Sequence, residues 1–301
     1  MIKIAVLMST YNGEKYIREQ IDSILNQVGN FKLDLYIRDD GSNDKTIAIL
    51  QQYEKTMKVK WYTGANLKSA RSFMDLIKKC EGYDYYAFAD QDDYWLQDKI
   101  QKGINKLSRQ VGPALYCSNA ELVDDKLIGL GRNVYKSYPR TDFETVVCAG
   151  GLLGCTMIFN EALAKIVRKK ENSSMVLHDF YLAVLCDALN GKIIYDHEVS
   201  MKYRQHGNNV VGVSHGLIGT VKGRIADIMY KEPIGIANQA LDILNEYNAD
   251  ISVEKKIWLK TVAEYKNSII NRVKLATSKK TNYINRNMGL KIRLSILLGN
   301  R

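Results

Sequence analysis

Residues 85–93 read Tyr85-Tyr86-Ala87-Phe88-Ala89-Asp90-Gln91-Asp92-Asp93, an apolar and aromatic run that passes straight into a cluster of acids. A short apolar run bounded by polar, turn-prone residues is the pattern of a buried strand opening into a loop. The same pattern occurs twice upstream. Residues 2–8 (IKIAVLM) end at Ser9-Thr10-Tyr11-Asn12-Gly13, and residues 33–38 end at Asp39-Asp40-Gly41-Ser42-Asn43-Asp44. Between these runs the apolar spacing changes: Ile17, Ile21, Ile24, Leu25 and Val28 place one stripe on a helix over about residues 14–27. Helical spacing returns at 45–53, 69–79 and 97–108, and 59–62 reads as a further strand. Strands alternating with helices predict an α/β fold, a doubly wound, mostly parallel sheet flanked by helices. Ligands in such sheets sit beyond the carboxyl ends of the strands, where all three polar clusters fall.

Composition sets the outer bounds. The chain has 301 residues, 46% hydrophobic and 25% charged, the make-up of a globular protein with a full core. The apolar run at the start and the one at 149–159 are too short for a membrane span, so no spanning segment is expected. Five cysteines, Cys80, Cys117, Cys148, Cys155 and Cys186, are scattered without Cys-x-x-Cys spacing, which fits packed, reduced thiols of a cytoplasmic protein better than a zinc or disulfide framework. The net charge is +10, and residues 215–301 hold 15 Lys/Arg against 7 Asp/Glu, so +8 of it lies there. After about residue 210 the strand and helix alternation fades into helical segments at 236–247 and 251–270. This places a domain boundary near 212–219, with a catalytic domain at 1–212 and a helical, basic C-terminal extension at 213–301. No G-x-G-x-x-G or G-x-x-x-x-G-K-[ST] run is present, which disfavours a dinucleotide-binding dehydrogenase or a P-loop enzyme.

Asp90, Asp92 and Asp93 repel one another unless a cation or several donors compensate them. Hard ions such as Mg²⁺ or Mn²⁺ favour such oxygen ligands together with substrate phosphates, and can offset charge on a diphosphate leaving group. The competing reading is a solvated acidic turn that caps the next helix. For Asp39 and Asp40 the competing reading is an Asx-type turn, although one carboxylate can cap while its neighbour accepts from a pyrimidine imide or a ribose hydroxyl.

Five segments taken together, STYNGEKYIREQIDSILNQ, RDDGSNDKT, ADQDDYW, LHDFYL and YRQHGNNVVG, resemble in order and spacing the family-2 glycosyltransferases, whose nucleotide-binding fold is called GT-A. Within that family the chain is similar to bacterial rhamnosyltransferases of cell-wall or capsular polysaccharide synthesis. The resemblance implies an inverting transfer of a sugar, L-rhamnose from dTDP-rhamnose in this subgroup, onto a glycan or lipid-linked glycan. UDP-glucose, UDP-galactose and UDP-N-acetylglucosamine are the alternative donors. It also implies the site. Ser9, Thr10 and Tyr11, with Asn12 and Glu14, would line the nucleotide pocket; Asp40 or Asp39 would meet the pyrimidine; Arg71 and Gln91 would assist; Asp90 would lie near the ribose. Asp92, Asp90 and His206 would hold Mn²⁺ or Mg²⁺, and Asp179 would be the catalytic base. A helix cap is the bland alternative for Asp179, a helix-face charge for Arg71 and a structural role for His206. The Gln-x-x-Arg-Trp signature of processive synthases is absent.

Beyond Tyr265 stand Lys266, Arg272, Lys274, Lys279, Lys280, Arg286, Lys291, Arg293 and Arg301 with no acid among them, interleaved with Ile and Leu. That composition suits an anionic membrane surface, here the inner face of the cell membrane, or a solvated face that packs on a partner chain in a homo-oligomer. It is also the sole support for a different class of function, a non-catalytic binder of nucleic acid or another anionic surface. The absence of an aromatic platform and the uncompensated acid clusters weigh against nucleic acid as a partner.

Overall fold

The computed structural model describes residues 1–55, 57–171, 173–206, 235–281, 283 and 286–300. The boundary expected near 212–219 and residues 207–209 of the RQHGNN segment lie outside the described residues. The chain folds as two compact units. The first comprises Met1–Tyr138, Leu153–Lys169 and Gly191–Gly212, and the second Pro139–Leu152, Lys170–Asn190 and Val213–Arg301.

The first unit holds a sheet with α-helices on its faces. Its elements are β1 (Ile2–Thr10), α1 (Ile17–Leu25), β2 (Phe31–Asp39), α2 (Thr46–Glu54), β3 (Val59–Thr63), α3 (Lys68–Lys79), β4 (Tyr85–Ala89) and β5 (Tyr94–Trp95). They continue with α4 (Lys99–Leu107), β6 (Ala114–Val123) and β7 (Gly129–Asn133); after α5 of the second unit come β8 (Ile158–Asn160), α6 (Glu161–Arg168) and, following α7, β9 (Lys192–Arg204). The strand order is β3-β2-β1-β4-β8-β6-β9-β5, with β7 beside β6. Strands β3, β2, β1 and β4 are mutually parallel, as the alternation predicts, whereas β8 runs antiparallel to both β4 and β6. The chain order reverses beside β1, which is flanked by β2 and β4, and parallel pairing sends the ends of all three to one edge of the sheet. Register is specific there: Thr10 pairs with Asp39 and Met8 with Ala89.

Why β1 and β4 read as unbroken apolar runs follows from their position. Ile4, Ala5, Val6, Leu7 and Met8 are all fully buried, as are Tyr86, Ala87, Phe88 and Ala89, because helices cover both faces. The α1 stripe of Ile17, Ile21 and Ile24 is likewise buried. Strand β6 carries a less legible sequence, ALYCSNAELV, yet nearly all of it is buried. Its polar Ser118 and Asn119 are internally satisfied, Ser118 by Ser200 Oγ at 2.5 Å and Asn119 by the Tyr135 backbone at 2.9 and 3.1 Å. The apolar stretch at 149–159 does not run through as one element. Gly150 and Gly151 take φ of +64° and +107°, and the chain then turns through a short 3-10 helix into β8.

The second unit is helical: α5 (Phe143–Ala149), α7 (His178–Ala188), α8 (Ile236–Tyr247), α9 (Val253–Glu264), α10 (Ile269–Thr277) and α11 (Arg286–Leu298). The helical segment expected over 251–270 is in fact two helices. Tyr265 is fully buried in a 3-10 turn, and Ser268 starts α10 by accepting from Asn271 N. The basic run is partly consumed in this packing. Arg272 donates to the carbonyls of Tyr265 and Lys266, Arg293 to those of Ala276, Ser278 and Thr281, and Lys280 pairs with Glu144 and Glu254. Among the described residues no helix is long and apolar enough to cross a membrane. All five cysteines are buried thiols outside any disulfide.

Asn160 ties three elements of the first unit together. Its Oδ1 accepts from Ala114 N at 3.0 Å and, as the cap of α6, from Leu163 N at 3.2 Å, while Nδ2 donates to Gly112 O at 2.8 Å. Asn160→Ala strands two buried amides, and we expect a loss of about 2 kcal/mol or more in urea unfolding.

Candidate active site

The loops that leave β1 and β2 are laced to each other by short side chains. Asn12, held at φ +49°, receives Asn43 N on its Oδ1 at 2.9 Å, while its own N–H donates to Ser42 Oγ at 2.8 Å. One step on, Glu14 N donates to Asp44 and Lys45 N donates back to Glu14 Oε2 at 2.9 Å. Gly13 N donates to Thr46 Oγ1. Asn12 and Glu14 therefore shape the loop walls with their side chains already engaged. Gln91 performs the same service for the loop after β4: its Oε1 accepts from Thr10 Oγ1 at 2.6 Å and Tyr11 N at 3.0 Å, and its Nε2 donates to Tyr11 O. Ser9 Oγ is bonded to Ser72 Oγ at 2.7 Å, and the Tyr11 ring is exposed. Arg71 lies exposed on α3.

The paired acids after β2 have separate tasks. Asp39, fully buried, accepts from Gly41 N, Ser42 N and Thr63 Oγ1 on Oδ2 and from Ser42 Oγ on Oδ1, which makes it the organiser of the turn. Asp40 is ion-paired with Arg38 and accepts from Leu67 N at 3.2 Å, so it keeps acceptor capacity. Arg38, a residue the sequence offers no reason to single out, is buried among Asp40, Asp75 at 3.0 Å and Ala65 O at 2.9 Å, and thereby fixes β2 against α3.

In the Asp90-Gln91-Asp92-Asp93 loop the expected repulsion bears on one buried carboxyl. Burial, reinforced by the charges of Asp92 and Asp90, pushes the Asp93 carboxyl well above the usual range. Asp93 is fully buried; Oδ1 accepts from Arg204 N at 3.1 Å and Oδ2 has no hydrogen-bond partner beyond the adjacent Cys155 thiol. Beneath it Lys99 is wholly buried, with Nζ 4.7 Å from the Trp95 ring, and burial pushes its pKa down to about 8. Asp92 faces outward. Its Oδ2 lies 2.7 Å from His206 Nε2, and the two side chains are 15% and 14% exposed.

Two donor sets could hold an ion. Ligand atoms of Asp90, Asp93 and Cys155 lie within 4.8 Å of one another. Two of its three members are buried, and one is a thiol pushed well above its ordinary pKa by burial, a poor match for a hard cation that keeps several waters and binds substrate phosphates. Asp92 and His206 fit better. Neighbouring ligands of an octahedral ion with bonds near 2.1 Å are about 3 Å apart, close to the separation here, and both side chains are part-buried rather than sealed. Asp90, on the same loop, is half-buried, and its ligand atom groups with Asp93 and Cys155 rather than with Asp92 and His206.

Asp179 belongs to the second unit, in the first turn of α7, where its Oδ1 accepts from Phe180 N at 2.7 Å. Burial lowers the pKa of the neighbouring His178. The segment leading to this pair is fastened to α8: Asp242 accepts from Ser173 Oγ at 2.8 Å, and Gln239 Oε1 from Val176 N at 2.9 Å. At the other end of α7, Lys255 donates to Asp187 and Asn190.

Comparisons with known proteins fit this geometry. Residues 5–167 match the family model described as Glycosyl transferase family 2. The chain is 31% identical over 254 residues to a Shigella flexneri protein named dTDP-rhamnosyl transferase RfbG, covering 78% of this chain and 85% of that one. The crystal structure of S. aureus TarS residues 1–349 with UDP-GlcNAc superposes with a TM-score of 0.56 at 17% identity, covering 93% of this chain and 77% of that one. The mannosyltransferase PcManGT from Pyrobaculum calidifontis, solved with GDP-Man and Mn²⁺, gives a TM-score of 0.57 at 13% identity, covering 99% and 86%. The fold is thus GT-A, as the motif order implies.

A Cβ on Gly13 would stand 2.4 Å from Gln91 Oε1 and 2.9 Å from Thr10 Oγ1. Gly13→Ala should displace the Gln91 amide and cost about 1–3 kcal/mol in denaturant unfolding. In a Gln91→Ala background the same change should cost much less, a coupling that a double-mutant cycle measures directly.

Proposed function

The chain belongs to glycosyl transferase family 2, and from that premise we propose that it moves L-rhamnose from dTDP-rhamnose onto a glycan or lipid-linked glycan, with inversion, in the synthesis of a cell-surface polysaccharide. The observation that carries the reading is the Asp92 and His206 pair, with ligand atoms 2.7 Å apart at the end of a parallel strand. The choice of donor draws on the name of the Shigella relative.

In this reading Asp40 accepts from the thymine imide with the capacity Asp39 lacks. Ser9, Thr10, Tyr11, Asn12, Glu14 and Gln91 form the walls around base and ribose, with Asp39 holding the turn and Asp90 at the ribose. Arg71 offers an exposed cation to the diphosphate. Asp92, Asp90 and His206 hold Mn²⁺ or Mg²⁺, which when bound supplies electrostatic stabilisation to the departing nucleoside diphosphate. Asp179 takes the proton of the acceptor hydroxyl as its oxygen forms the new bond to the anomeric carbon and the bond to dTDP breaks on the opposite face.

The acceptor side meets an anionic membrane surface. Supporting this, Leu290, Leu294, Leu297 and Leu298 are exposed on one face of α11, Ile269, Ile270 and Val273 are exposed on α10, and Lys274 and Lys279 stand among them without acids. Full-length protein should sediment with vesicles rich in anionic lipid and not with neutral ones, and Leu290→Glu/Leu294→Glu should abolish this. Concentration-dependent dimerisation without vesicle binding would assign the face to a second copy of the chain instead.

Nucleotide release from dTDP-rhamnose, UDP-glucose, UDP-galactose and UDP-N-acetylglucosamine, with Mn²⁺ or Mg²⁺ and with EDTA, tests the reaction. Turnover of dTDP-rhamnose that needs metal, and that falls about 10²- to 10⁴-fold in a folded Asp179→Asn, is expected. Turnover of a UDP donor alone would overturn the rhamnose assignment. Failure of every donor, with lipid-linked acceptor supplied, would overturn the transfer reading.

A further inference from the structure

The strand that delivers His206 ends in a buried arginine whose contacts surround both proposed metal ligands. Arg204 is 1% exposed, and its guanidinium points three ways: Nε donates to Asp92 O at 2.7 Å, Nη2 to Glu19 Oε2 at 2.6 Å, and Nη1 to Asp125 O. Its backbone N–H donates to Asp93 Oδ1. The guanidinium carbon sits 4.3 Å from the centre of the Tyr16 ring, and that ring stacks on His206 with centroids 5.2 Å apart and planes 27° apart. Gln205, between Arg204 and His206, is held to Val123 O at 2.9 Å.

The contacts close a ring: Arg204 to the Asp92 main chain, Asp92 carboxylate to His206, His206 to Tyr16, and Tyr16 back to Arg204. Arg204 holds Asp92 by its main-chain carbonyl and meets the Tyr16 ring that stacks on His206, so both contacts converge on the guanidinium. We propose that Arg204 is a positioning residue for the metal pair, keeping Asp92 Oδ2 and His206 Nε2 within reach of one ion through its hold on the Asp92 carbonyl and on the Tyr16 ring. The proposal rests on Asp92 and His206 being metal ligands. A lysine cannot replace Arg204, because one ammonium on a flexible stem cannot serve three divergent carbonyl and carboxylate acceptors while lying flat on a ring. Groups that orient metal ligands without touching the ion typically change affinity about 10- to 100-fold when lost.

The test is Mn²⁺ binding by the full chain in the presence of dTDP, followed by EPR of the free ion. The nitrogen modulation of bound Mn²⁺ in pulsed EPR serves as the signature of the His206 imidazole, and thermal unfolding is measured beside it. Asp92→Asn should lose binding, which supports the site itself. Arg204→Lys and Arg204→Gln should bind about 10- to 100-fold more weakly and lose the imidazole signature. Tyr16→Leu should do the same to a smaller degree, and Tyr16→Phe, which keeps the ring, should behave as the parent. If the Arg204 variants keep parental affinity and signature while Asp92→Asn loses both, the positioning role is overturned and the site stands. Parental binding by Asp92→Asn overturns the site reading and the proposal with it. Should the Arg204 variants fail to fold, Glu19→Gln and Tyr16→Leu decide: unchanged Mn²⁺ affinity in both overturns the proposal.

Discussion

Parallel hydrogen bonding of β1 to both β2 and β4 is the constraint on which the site depends. It aligns Thr10 with Asp39 and Met8 with Ala89, so that three strands deliver their polar ends to one edge. Strand ends alone would leave three separate loops. Short side chains bind them into one surface: Asn12 with Ser42 and Asn43, Glu14 with Asp44 and Lys45, and Gln91 with Thr10 and Tyr11. The buried Gly13 amide must find a partner and finds it in Thr46 Oγ1 of the neighbouring loop, and the exposed amides around it follow the same pattern, so the bonding of the amides and the shape of the loop surface are the same event.

Electrostatics then sorts residues that look alike in one dimension. Asp39 and Asp40 are adjacent, yet one spends its acceptor capacity on a turn and the other is neutralised by Arg38 and keeps room for a donor. Asp92 and Asp93 are adjacent too. The bend at Gln91 and Asp92 turns one toward His206 and the other into the interior beside Cys155 and Lys99, where burial favours the neutral acid.

The C-terminal helices do more than carry positive charge. Through Asp242 and Gln239 of α8 and Lys255 of α9 they grip both ends of the stretch that holds α7, and so fix where Asp179 points. Two of the arginines in the one-signed tail are bound to main-chain carbonyls and one lysine to two glutamates, which leaves the exposed leucines of α11 as its more conspicuous surface feature.

The sequence alone determined the parallel strands, their order along the chain and the acids at their ends. Ile4 to Met8 and Tyr86 to Ala89 are covered on both faces, which requires unbroken apolar runs, and the loops after them must be polar. Motif order in turn named the family. Strand β6 was hidden because its buried Ser118 and Asn119 are paid for by partners far away in the chain, and the break at Ser268 because a cap is a local bond inside an otherwise helical pattern. Only the tertiary structure decided which partner each carboxylate of a pair meets, and that Arg204 joins Asp92, Tyr16 and Glu19 beside His206. Those outcomes depend on burial and on contacts between residues up to 185 positions apart, as Arg204 and Glu19 are, and no local pattern encodes them.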